Sequence, residues 1–364
     1  MTERVLTLNA GSSSLKASLY ESAGSDLREL FDMTLESRRT SAHESIARVF
    51  EQLTAKHPAE IGTVAHRIVH GGAEFSRPVR VDDVVLARLE QLRPLAPLHL
   101  PPGLEILRAA LERLPGAAHV ACFDTAFHER LPDVARRLAL PEPLDAAGVR
   151  RYGFHGLSYE YVLSSLGEPA PPRLIVAHLG SGSSLAAVRD GRSVDTSMSF
   201  TPSGGIPMGT RAGDLDPGVL LYLLRERKLT AEQLEHVVDH ESGLMGVGGS
   251  ADMAQLIERT RSNDARARAA VELFAYAIKK QIGAYVAALG GLDALVFTGG
   301  IGEHAAPVRA LACDGLAYAG VELDPRLNAM NAPVISLSGA RCSVRVVKTR
   351  ESIVMARAAL KLAH

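Results

Sequence analysis

The sequence has little cysteine, with only three residues of this type among 364. They are Cys122, Cys313 and Cys342, which are odd in number, far apart and without any C-x-x-C pair. This scarcity argues against a disulfide framework and against a structural zinc site. We therefore expect each cysteine to be a small buried side chain in a reduced, cytoplasmic protein.

The chain also has no large net charge of either sign. Its formal net charge is −1, and no long basic run occurs. Nucleic-acid backbones require a clustered positive face, so we expect neither DNA nor RNA as a partner. Charged residues form 22% of the chain and hydrophobic residues 46%, which argues against a disordered or fibrous protein.

Long hydrophobic runs are absent as well. The longest candidate, residues 282–297, is interrupted by Gly290, Gly291 and Asp293 and falls short of the roughly 18 residues of a membrane span. The N-terminal stretch MTERVLTLNAGSSS has no charged region followed by an apolar one, so we expect no secretory signal. These features predict a cytoplasmic protein without a membrane partner.

The chain does contain alternating strand and helix patterns, which are typical of an α/β fold. Its 364 residues indicate two domains rather than one small core. The predicted strands are residues 4–8, 15–20, 63–69, 118–123, 174–180, 185–191, 295–298 and 344–348. The predicted helices begin at Pro101, at Asp216, at Asn263 or Asp264 (ending near Leu289), and at Thr349 or Ser352.

The stretch LNAGSSSLKASLY, residues 8–20, places a glycine and three serines between two apolar strands. It lacks the second glycine of a G-x-x-x-x-G-K-[ST] loop, so the residues alone leave a hairpin turn and a phosphate site open. The same order of strand, Gly/Ser turn and strand returns 170 residues later, where residues 183–185 (SSL) match residues 13–15. This repeat predicts two similar halves, each with a turn whose bare N–H groups can close around a phosphate.

Among the charged residues, Arg67 and Arg211 are candidate phosphate-binding cations, because arginine grips phosphate oxygens in a bidentate way. A surface ion pair is the alternative for each. Asp124 ends an apolar strand, where a carboxylate could hold Mg²⁺ or water, although the residues alone favour a turn or N-cap role. His66 and His70 lie in a strand that runs into a Gly-Gly turn, which disfavours a shared metal ion.

Seven motifs follow one another along nearly the whole chain: LNAGSSSLK, HRIVHGG, FDTAFH, RRYGFHG, TPSGGIPMGTRAGDLDPG, ESGLMG and FTGGIGE. In these motifs the sequence resembles the acetokinase family, of the acetate and sugar kinase/Hsp70/actin superfamily. The resemblance implies an α/β fold of two duplicated actin/Hsp70/sugar-kinase-like (ribonuclease H-like) domains with an interdomain nucleotide cleft. It also implies a homodimer. The implied domains are residues 1–148 with 351–364, and residues 149–350.

The resemblance implies reversible phosphoryl transfer between ATP and acetate, giving ADP and acetyl phosphate, with Mg²⁺ as cofactor and Mn²⁺ as an alternative ion. A carboxylate with a pKa of about 5 is already ionised at pH 7, so this reaction needs positioning and positive charge rather than a strong base. By motif, His155 and Arg211 match the transition-state stabilisers. Arg67 matches the substrate-binding arginine, and Asp124 matches an essential aspartate that serves Mg²⁺ organisation or proton handling. Because the acceptor is already ionised, we favour Mg²⁺ organisation.

Other motif positions match binding residues of the family. Asn9 and Glu351 match the magnesium-associated positions. Val69, Leu98, Phe154 and Pro202 match the small apolar cage around the acetate methyl group. The positions that match phosphate- and nucleotide-binding residues are Ser12, Ser14, Lys16, His178, Leu179, Gly180, Ser181, Gly182, Asp252, Met253, Ala254, Gly300, Ile301, Gly302, Glu303 and His304.

Departures from the family pattern concentrate on the nucleotide side. Ser181 and His304 each replace the usual asparagine, Ala254 replaces an arginine, and the usual TNEE reads TRES, with Arg350 second. These changes leave GTP or pyrophosphate open as the phosphoryl donor.

The acyl cage keeps its bulky residues, which favours a short acid. One methylene in such a pocket is worth only about 1–3 kcal/mol, so a kinase preferring propionate or another short acid stays open. A nucleotide-binding switch of the actin/Hsp70 type is a further alternative, disfavoured because a switch needs no carboxylate pocket.

Overall fold

The computed structural model describes residues 3–11, 14–23, 26–36, 40–57 and 60–363. Its strands are β1 Arg4–Ala10, β2 Ser14–Ala23, β3 Asp26–Glu36, β4 Thr63–Ile68, β5 Val79–Arg80, β6 Ala118–Phe123, β7 Arg173–Leu179, β8 Ser183–Arg189, β9 Arg192–Thr196, β10 Ala294–Thr298 and β11 Ser343–Val346. Its α-helices are α1 Ala42–Lys56, α2 Asp83–Gln91, α3 Leu100–Arg113, α4 Asp133–Arg136, α5 Glu142–Ala146, α6 Gly156–Ser165, α7 Pro217–Arg225, α8 Ala231–His240, α9 Gly243–Gly248, α10 Met253–Arg261, α11 Ala265–Leu289, α12 Gly299–His304, α13 Ala306–Cys313, α14 Pro325–Ala329 and α15 Glu351–Ala363.

The chain forms two compact units. The first consists of Met1–Glu129, Phe154–Tyr161 and Arg350–His364, and the second of Arg130–Gly153 and Val162–Thr349. The domain boundaries at residues 148 and 350 that the resemblance implies stay a prediction.

The first unit is built on a six-stranded sheet with the strand order β3-β2-β1-β4-β6-β5. The central strands β1, β4 and β6 are parallel. Strand β2 pairs antiparallel with β1, β5 pairs antiparallel with β6, and β3 pairs antiparallel with β2. Leu6 and Val64 pack with α1 and α3 on one face, whereas Val5 and Ala65 pack with α15 on the other. Helices thus cover both faces of the parallel strands, as such strands require, and the last helix completes this unit.

The second unit contains a five-stranded sheet with the order β11-β10-β7-β8-β9, in which β7, β10 and β11 are parallel. The long helix α11 packs in its core. Asp264 caps this helix by accepting hydrogen bonds from two backbone N–H groups, and Gly290 ends it with φ of 70°. The apolar stripe predicted for this helix is buried: Val271, Phe274, Ile278, Ile282 and Tyr285.

The two sheets share one strand plan. The orders β3-β2-β1-β4-β6 and β9-β8-β7-β10-β11 both consist of an antiparallel triplet followed by two further parallel strands. In each unit the Gly/Ser turn joins the first two strands, because β2 begins at Ser14 and β8 at Ser183. The predicted α/β class and internal duplication are confirmed.

Some elements differ from the sequence-based expectation. The edge strand β3 was not predicted, because most of its residues are exposed and only Phe31, Met33 and Leu35 alternate with polar residues. The GGIG stretch that follows the predicted strand 295–298 forms the start of α12, a helix that was not among the predicted ones. The last helix begins at Glu351, so Ser352 lies inside it rather than capping it.

The three cysteines are free and buried, as expected. Burial raises the pKa of the Cys342 thiol to about 12, and it also raises the pKa values of Cys122 and Cys313. Within the described ranges, no helix combines the length and apolar character needed to cross a bilayer.

Candidate active site

Three predicted site residues meet at one edge of the first sheet. Asn9 lies near the end of β1, Arg67 near the end of β4, and Asp124 directly after β6. Because these strands are parallel neighbours, their carboxyl ends lie side by side. The strand order therefore brings together an amide, a guanidinium and a carboxylate that are far apart in sequence.

Arg67 and Asp124 form a buried bidentate ion pair. The Nε of Arg67 donates to Oδ1 of Asp124 at 2.9 Å, and its Nη2 donates to Oδ2 at 2.5 Å. The Asp124 side chain is 2% exposed and that of Arg67 is 16% exposed. Asp124 therefore does not act as a helix cap. Its carboxylate holds the guanidinium in a fixed plane.

The electrostatics of this pair favour a permanently charged arginine. Burial tends to lower the pKa of Arg67, but the charge and hydrogen bonds of Asp124 raise it above its ordinary value. Burial raises the pKa of Asp124, Arg67 opposes that rise, and the negative charge of Glu351 adds to it. Two carboxylates thus lie close enough to repel each other beside one guanidinium.

Glu351, the first residue of α15, completes this group. Its Oε2 accepts a hydrogen bond from Nδ2 of Asn9 at 2.8 Å, and Oδ1 of Asn9 accepts one from Nη1 of Arg67 at 3.2 Å. The Asn9 amide thereby links the ion pair to the last helix. Sequence reasoning proposed both residues only through the resemblance, and the structure places them in contact.

This oxygen-rich group fits a magnesium ion. Mg²⁺ in nucleotide enzymes is bound by one or two carboxylates together with substrate phosphates, rather than by a complete protein cage. In the described part of the chain, no group of three or more His, Cys, Asp or Glu side chains could hold a metal by itself. Asp124 and Glu351, with the Asn9 amide oxygen, offer the small hard-oxygen set that Mg²⁺ uses when phosphate supplies the remainder.

The backbone position of His155 is set by its neighbour Gly156, which contacts Asp124. Its backbone φ is 59°, a left-handed conformation that is rare outside glycine. The next residue, Gly156, donates its N–H to the carbonyl of Asp124 at 2.8 Å, and a Cβ on Gly156 would lie 2.3 Å from that oxygen. Only glycine can approach the Asp124 carbonyl this closely, and this contact fixes the position of the adjacent His155 Cα.

Two supporting residues were not proposed from the sequence. The Oγ1 of Thr125 accepts a hydrogen bond from the N–H of Gly71 at 3.1 Å, which ties FDTAFH to HRIVHGG. The Nε2 of His128 lies 3.0 Å from the carbonyl oxygen of Phe154, which ties FDTAFH to RRYGFHG. Both residues lie inside quoted motifs, so the motif context was the available signal for them.

The structure describes each residue of the predicted acyl cage within its own unit. Val69 directly follows β4 and is 8% exposed, and Phe154 is 1% exposed. Phe154 packs edge-on against His70 with ring centroids 5.4 Å apart. Leu98 is half-buried in the same unit, whereas the buried Pro202 belongs to the second unit. The four-residue cage stays a prediction.

The first Gly/Ser turn is partly described. The N–H of Gly11 donates to the carbonyl of Ser14 at 2.8 Å, which closes the hairpin of β1 and β2. Lys16 is exposed on β2 and pairs in register with Asn9. Ser12 lies outside the described residues, so its proposed phosphate contact stays a prediction.

In the second unit, two glycine-rich segments follow neighbouring parallel strands. His178 and Leu179 end β7, and the turn Gly180–Ser181–Gly182 is closed by a bond from the Gly180 N–H to the Gly182 carbonyl at 3.1 Å. Because His178 pairs with Thr298, α12 begins beside this turn. A Cβ on Gly299 would lie 2.6 Å from the Leu179 carbonyl, so the two segments require glycine to approach this closely.

Gly209 lies between the 180–182 turn and the segment before α10. Gly209 donates its N–H to the carbonyl of Ser181 at 3.2 Å, and a Cβ on Gly209 would touch Ala251 at 3.5 Å. Asp252 caps α10 by accepting a hydrogen bond from the N–H of Ala254 at 2.9 Å, and Met253 is buried. The structure therefore brings residues 180–182, 209 and 251–254 together, although they belong to separate stretches of the sequence.

Arg211 is anchored within its own unit. Its Nη1 donates to the carbonyl oxygen of Pro202 at 3.0 Å and lies 3.7 Å from Sδ of Met208. The backbone on either side is tied as well, since the N–H of Met208 donates to the Arg211 carbonyl at 3.0 Å. Arg211 is half-buried, and its hydrogen bond to Pro202 restricts the direction of its side chain.

Two charged side chains, Glu303 and Arg309, hold the short helix α12 in place. Oε1 of Glu303 accepts hydrogen bonds from the N–H groups of Gly299 at 3.1 Å and Thr349 at 3.3 Å, so this carboxylate braces the turn. Arg309 is fully buried and donates to the carbonyls of Gly302 at 2.8 Å and Glu303 at 3.1 Å. Carbonyls at a helix end favour a cation, which explains this arginine at the C-terminus of α12.

Comparison with known proteins shows the family of this chain. The sequence matches the Acetokinase family over residues 4–357. The chain belongs to the acetokinase family. An acetate kinase of Rhodopseudomonas palustris strain TIE-1 is 43% identical over 398 aligned positions that cover 100% of this chain and 99% of the relative. An acetate kinase of Methylocella silvestris is 42% identical over 100% of this chain and 98% of the relative.

Two solved structures resemble this chain over 99% or more of its length. The acetate kinase of Porphyromonas gingivalis has a TM-score of 0.88 and 35% identity, with 100% of both chains covered. A propionate kinase from Francisella tularensis has a TM-score of 0.90 and 32% identity, with 99% of this chain and 100% of that chain covered. The fold of this acetokinase is thus the duplicated α/β fold that the resemblance implied.

Proposed function

We propose that this acetokinase catalyses reversible phosphoryl transfer between ATP and acetate, giving ADP and acetyl phosphate by direct in-line displacement. The observation that carries the proposal is the buried Arg67–Asp124 pair with Asn9 and Glu351 at one sheet edge, in a chain of this family. A nucleotide switch has no use for a carboxylate-binding arginine at this place.

Arg67 binds the acetate or acetyl phosphate oxygens in this proposal. A guanidinium carries five N–H donors, of which Asp124 and Asn9 engage only some, leaving N–H groups on Nη1 and Nη2. The bidentate pair holds the donors in one plane, so little rotamer freedom is lost when substrate binds. Acetate arrives already ionised, and no residue has to remove a proton from it.

Positive charge and hydrogen-bond donors around the moving phosphoryl group come from Arg211 and His155 in this proposal. The Arg211 side chain is held by its hydrogen bond to the Pro202 carbonyl. The backbone position of His155 is held by the hydrogen bond between the adjacent Gly156 and Asp124. Such preorganised groups stabilise charge that develops in the transition state without having to reorganise.

Mg²⁺ is the proposed cofactor, with Mn²⁺ as an alternative ion. Asp124, Asn9 and Glu351 would hold it, and the repulsion between the two carboxylates, by which Glu351 raises the pKa of Asp124, supports binding of a divalent cation by this group. When bound, the ion neutralises charge on the phosphate oxygens.

ATP is the proposed phosphoryl donor. The segments 180–182 and 299–304 present backbone N–H groups beside each other, and bare glycine backbone of this kind suits phosphate oxygens. Ser14 and Lys16 contribute from the first unit, and Asp252, Ile301 and His304 are proposed adenosine contacts. Gly300 is exposed, and a Cβ added to it would meet no atom within 4 Å, so its backbone is open to a ligand.

Propionate is the second candidate substrate. A similar solved structure is described as a propionate kinase, and the two buried cage residues Val69 and Phe154 also suit a slightly longer acid. The difference of one methylene limits discrimination to roughly 10–200-fold.

Hydroxylamine trapping tests these proposals directly. Acyl phosphates react with hydroxylamine to give hydroxamates, so acetohydroxamate is expected from ATP, Mg²⁺ and acetate. The same assay is run with propionate, with GTP and with pyrophosphate. Failure to form acetohydroxamate from ATP and acetate would contradict the proposed function, and a signal with pyrophosphate alone would establish the alternative donor.

Changing Arg211 to alanine is expected to lower kcat by about 10²- to 10³-fold while changing the KM for ATP much less. The reason is that Arg211 is proposed to act on charge that develops only in the transition state. Steady-state kinetics with Arg192→Ala, an exposed arginine of the same unit, provides the control. A rise in KM for ATP at unchanged kcat would show that Arg211 binds nucleotide instead.

A homodimer and a cytoplasmic location are also proposed. Helix α7 has no buried residue and exposes Val219 at 43%, Leu221 at 46% and Tyr222 at 53%, which supports a covered apolar face in the assembly. Sedimentation equilibrium should give twice the chain mass, and a monomer at assay concentration would contradict the dimer. Cell fractionation tests the location.

A further inference from the structure

A β-bulge in the first unit places an acidic residue beside a buried tyrosine. In the β2–β3 pairing, Leu19 lies opposite Phe31 but Tyr20 lies opposite Glu29, so Leu30 is the extra residue. A bulge of this kind turns the side chains that follow it and commonly redirects one near an active site. Here it sets Glu29 directly across from Tyr20, where cross-strand side chains can interact.

The Tyr20 hydroxyl bridges β3 and the last helix. The residue is fully buried, and its oxygen lies 2.9 Å from Oε2 of Glu29 and 2.8 Å from Oγ of Ser352. A phenol has one proton to donate and lone pairs that accept, so it can donate to the carboxylate and accept from the serine hydroxyl. Burial raises the pKa of Tyr20, which keeps the phenol protonated at neutral pH.

Glu29 has a second partner on the same helix end. Its Oε2 also accepts a hydrogen bond from Nη2 of Arg350 at 2.5 Å. The exposed fractions of the two side chains are 42% for Arg350 and 35% for Glu29, so this ion pair is partly screened. The buried Tyr20–Ser352 contact therefore contributes more to positioning than the ion pair does.

These contacts lie on both sides of Glu351, the proposed metal ligand. Arg350 and Ser352 are the two residues adjacent to Glu351 in the chain; Arg350 is hydrogen-bonded to Glu29 of β3 and Ser352 to Tyr20 of β2. Arg350 directly precedes α15 and Ser352 is its second residue, so contacts on both sides of Glu351 restrain the first turn of α15 from rotating. With rotation removed, the Glu351 carboxylate is directed to Asn9 at the carboxyl end of β1.

The set Tyr20, Glu29, Arg350 and Ser352 is called the flanking network. We propose that the flanking network positions the Glu351 carboxylate for the metal ion, and this inference rests on the proposed function. Its members do not touch substrate in this account, and they act only through Glu351. A purely structural role in docking α15 would instead lower stability without singling out the metal.

Tyr20→Phe is the main test, because it removes the hydroxyl and keeps the buried ring. We expect Mn²⁺ to bind about 10-fold more weakly in the presence of ADP, measured by electron paramagnetic resonance of free Mn²⁺, since outer residues around a metal site typically contribute this much or more. Ser352→Ala removes the other half of the same contact and should show a similar loss. It also keeps the test decisive if the tyrosine variant folds poorly.

Ser18→Ala is the matched control. The Ser18 hydroxyl donates to Oδ1 of Asp32 at 2.8 Å, so it also links β2 to β3 by a buried side chain, but this partner lies on the sheet rather than on α15. Its Mn²⁺ affinity should stay within about twofold of wild type. An equal loss in Ser18→Ala would show that general loosening of β2 and β3, rather than positioning of Glu351, weakens the metal.

Coupling to Glu351 is measured by a double-mutant cycle. In a Glu351→Gln background, Tyr20→Phe should change Mn²⁺ binding by less than about twofold, because the group that it positions has lost its charge. Wild-type affinity in Tyr20→Phe, an undiminished effect in the Glu351→Gln background, or no Mn²⁺ binding by the wild-type chain would each overturn the inference. Absence of acetohydroxamate would instead overturn the proposed function, so the two failures are distinguishable.

Discussion

Asp124→Asn is expected to reduce kcat by at least about 10²-fold and to destabilise the protein by about 3–5 kcal/mol. The substitution removes the carboxylate charge that is paired directly with Arg67, whose side chain is only 16% exposed, and leaves the guanidinium without its bidentate partner. It also removes one of the two carboxylates proposed for Mg²⁺. Urea unfolding and steady-state kinetics on the same preparation measure the two effects.

A second bidentate pair in this chain serves as the control. Arg173 donates to Asp293 through Nε at 3.0 Å and through Nη2 at 2.6 Å, but the two side chains are 40% and 29% exposed. Asp293→Asn should therefore change the free energy of unfolding by about 1 kcal/mol or less and leave kcat unchanged. If Asp124→Asn were as mild as Asp293→Asn, the buried pair would not have the role assigned to it.

Gly156→Ala is expected to lower kcat by about 10²-fold through displacement of His155. The new Cβ would lie 2.3 Å from the Asp124 carbonyl oxygen and 2.8 Å from Cβ of Phe127, so the segment has to move. His155 is the adjacent residue, and a displacement of about 1 Å in a catalytic group is enough for a loss of this size. Kinetics with saturating ATP and acetate measure the effect.

Gly116→Ala is the matched glycine control for this experiment. Nothing lies within 4 Å of a Cβ at Gly116, and its φ is not in the left-handed region. Its activity should stay within about twofold of wild type, as expected for an exposed position without steric conflict. Normal activity in Gly156→Ala would mean that the His155 position tolerates movement, which would contradict its proposed role at the phosphoryl group.

These two predictions concern one group of atoms reached from different motifs. The carboxylate of Asp124 holds Arg67, and the carbonyl of the same residue holds the N–H of Gly156. Asp124 thus orients a charge through its side chain and a histidine through its backbone. The proposed roles of FDTAFH, HRIVHGG and RRYGFHG depend on this shared residue.

The sequence by itself determined the features that depend on neighbouring residues. The long helix α11 was predictable from its cap at Asp264, its apolar stripe and the glycine after Leu289. The duplicated hairpins were predictable because each Gly/Ser turn lies between two apolar strands. The motif order identified the family, and the site residues were proposed by matching motifs rather than by periodicity.

The tertiary structure alone decided how those residues pair. From the sequence, Arg67 was open to a surface ion pair or phosphate binding, and Asp124 to a turn role, but they form one buried pair across 57 positions. Asn9 and Glu351 are in contact across 342 positions, and the bulge that brings Glu29 to Tyr20 leaves no local signal. Such pairs depend on which strand ends and helix ends the packed sheet brings to one edge, and that arrangement follows from burial throughout the unit rather than from adjacent residues.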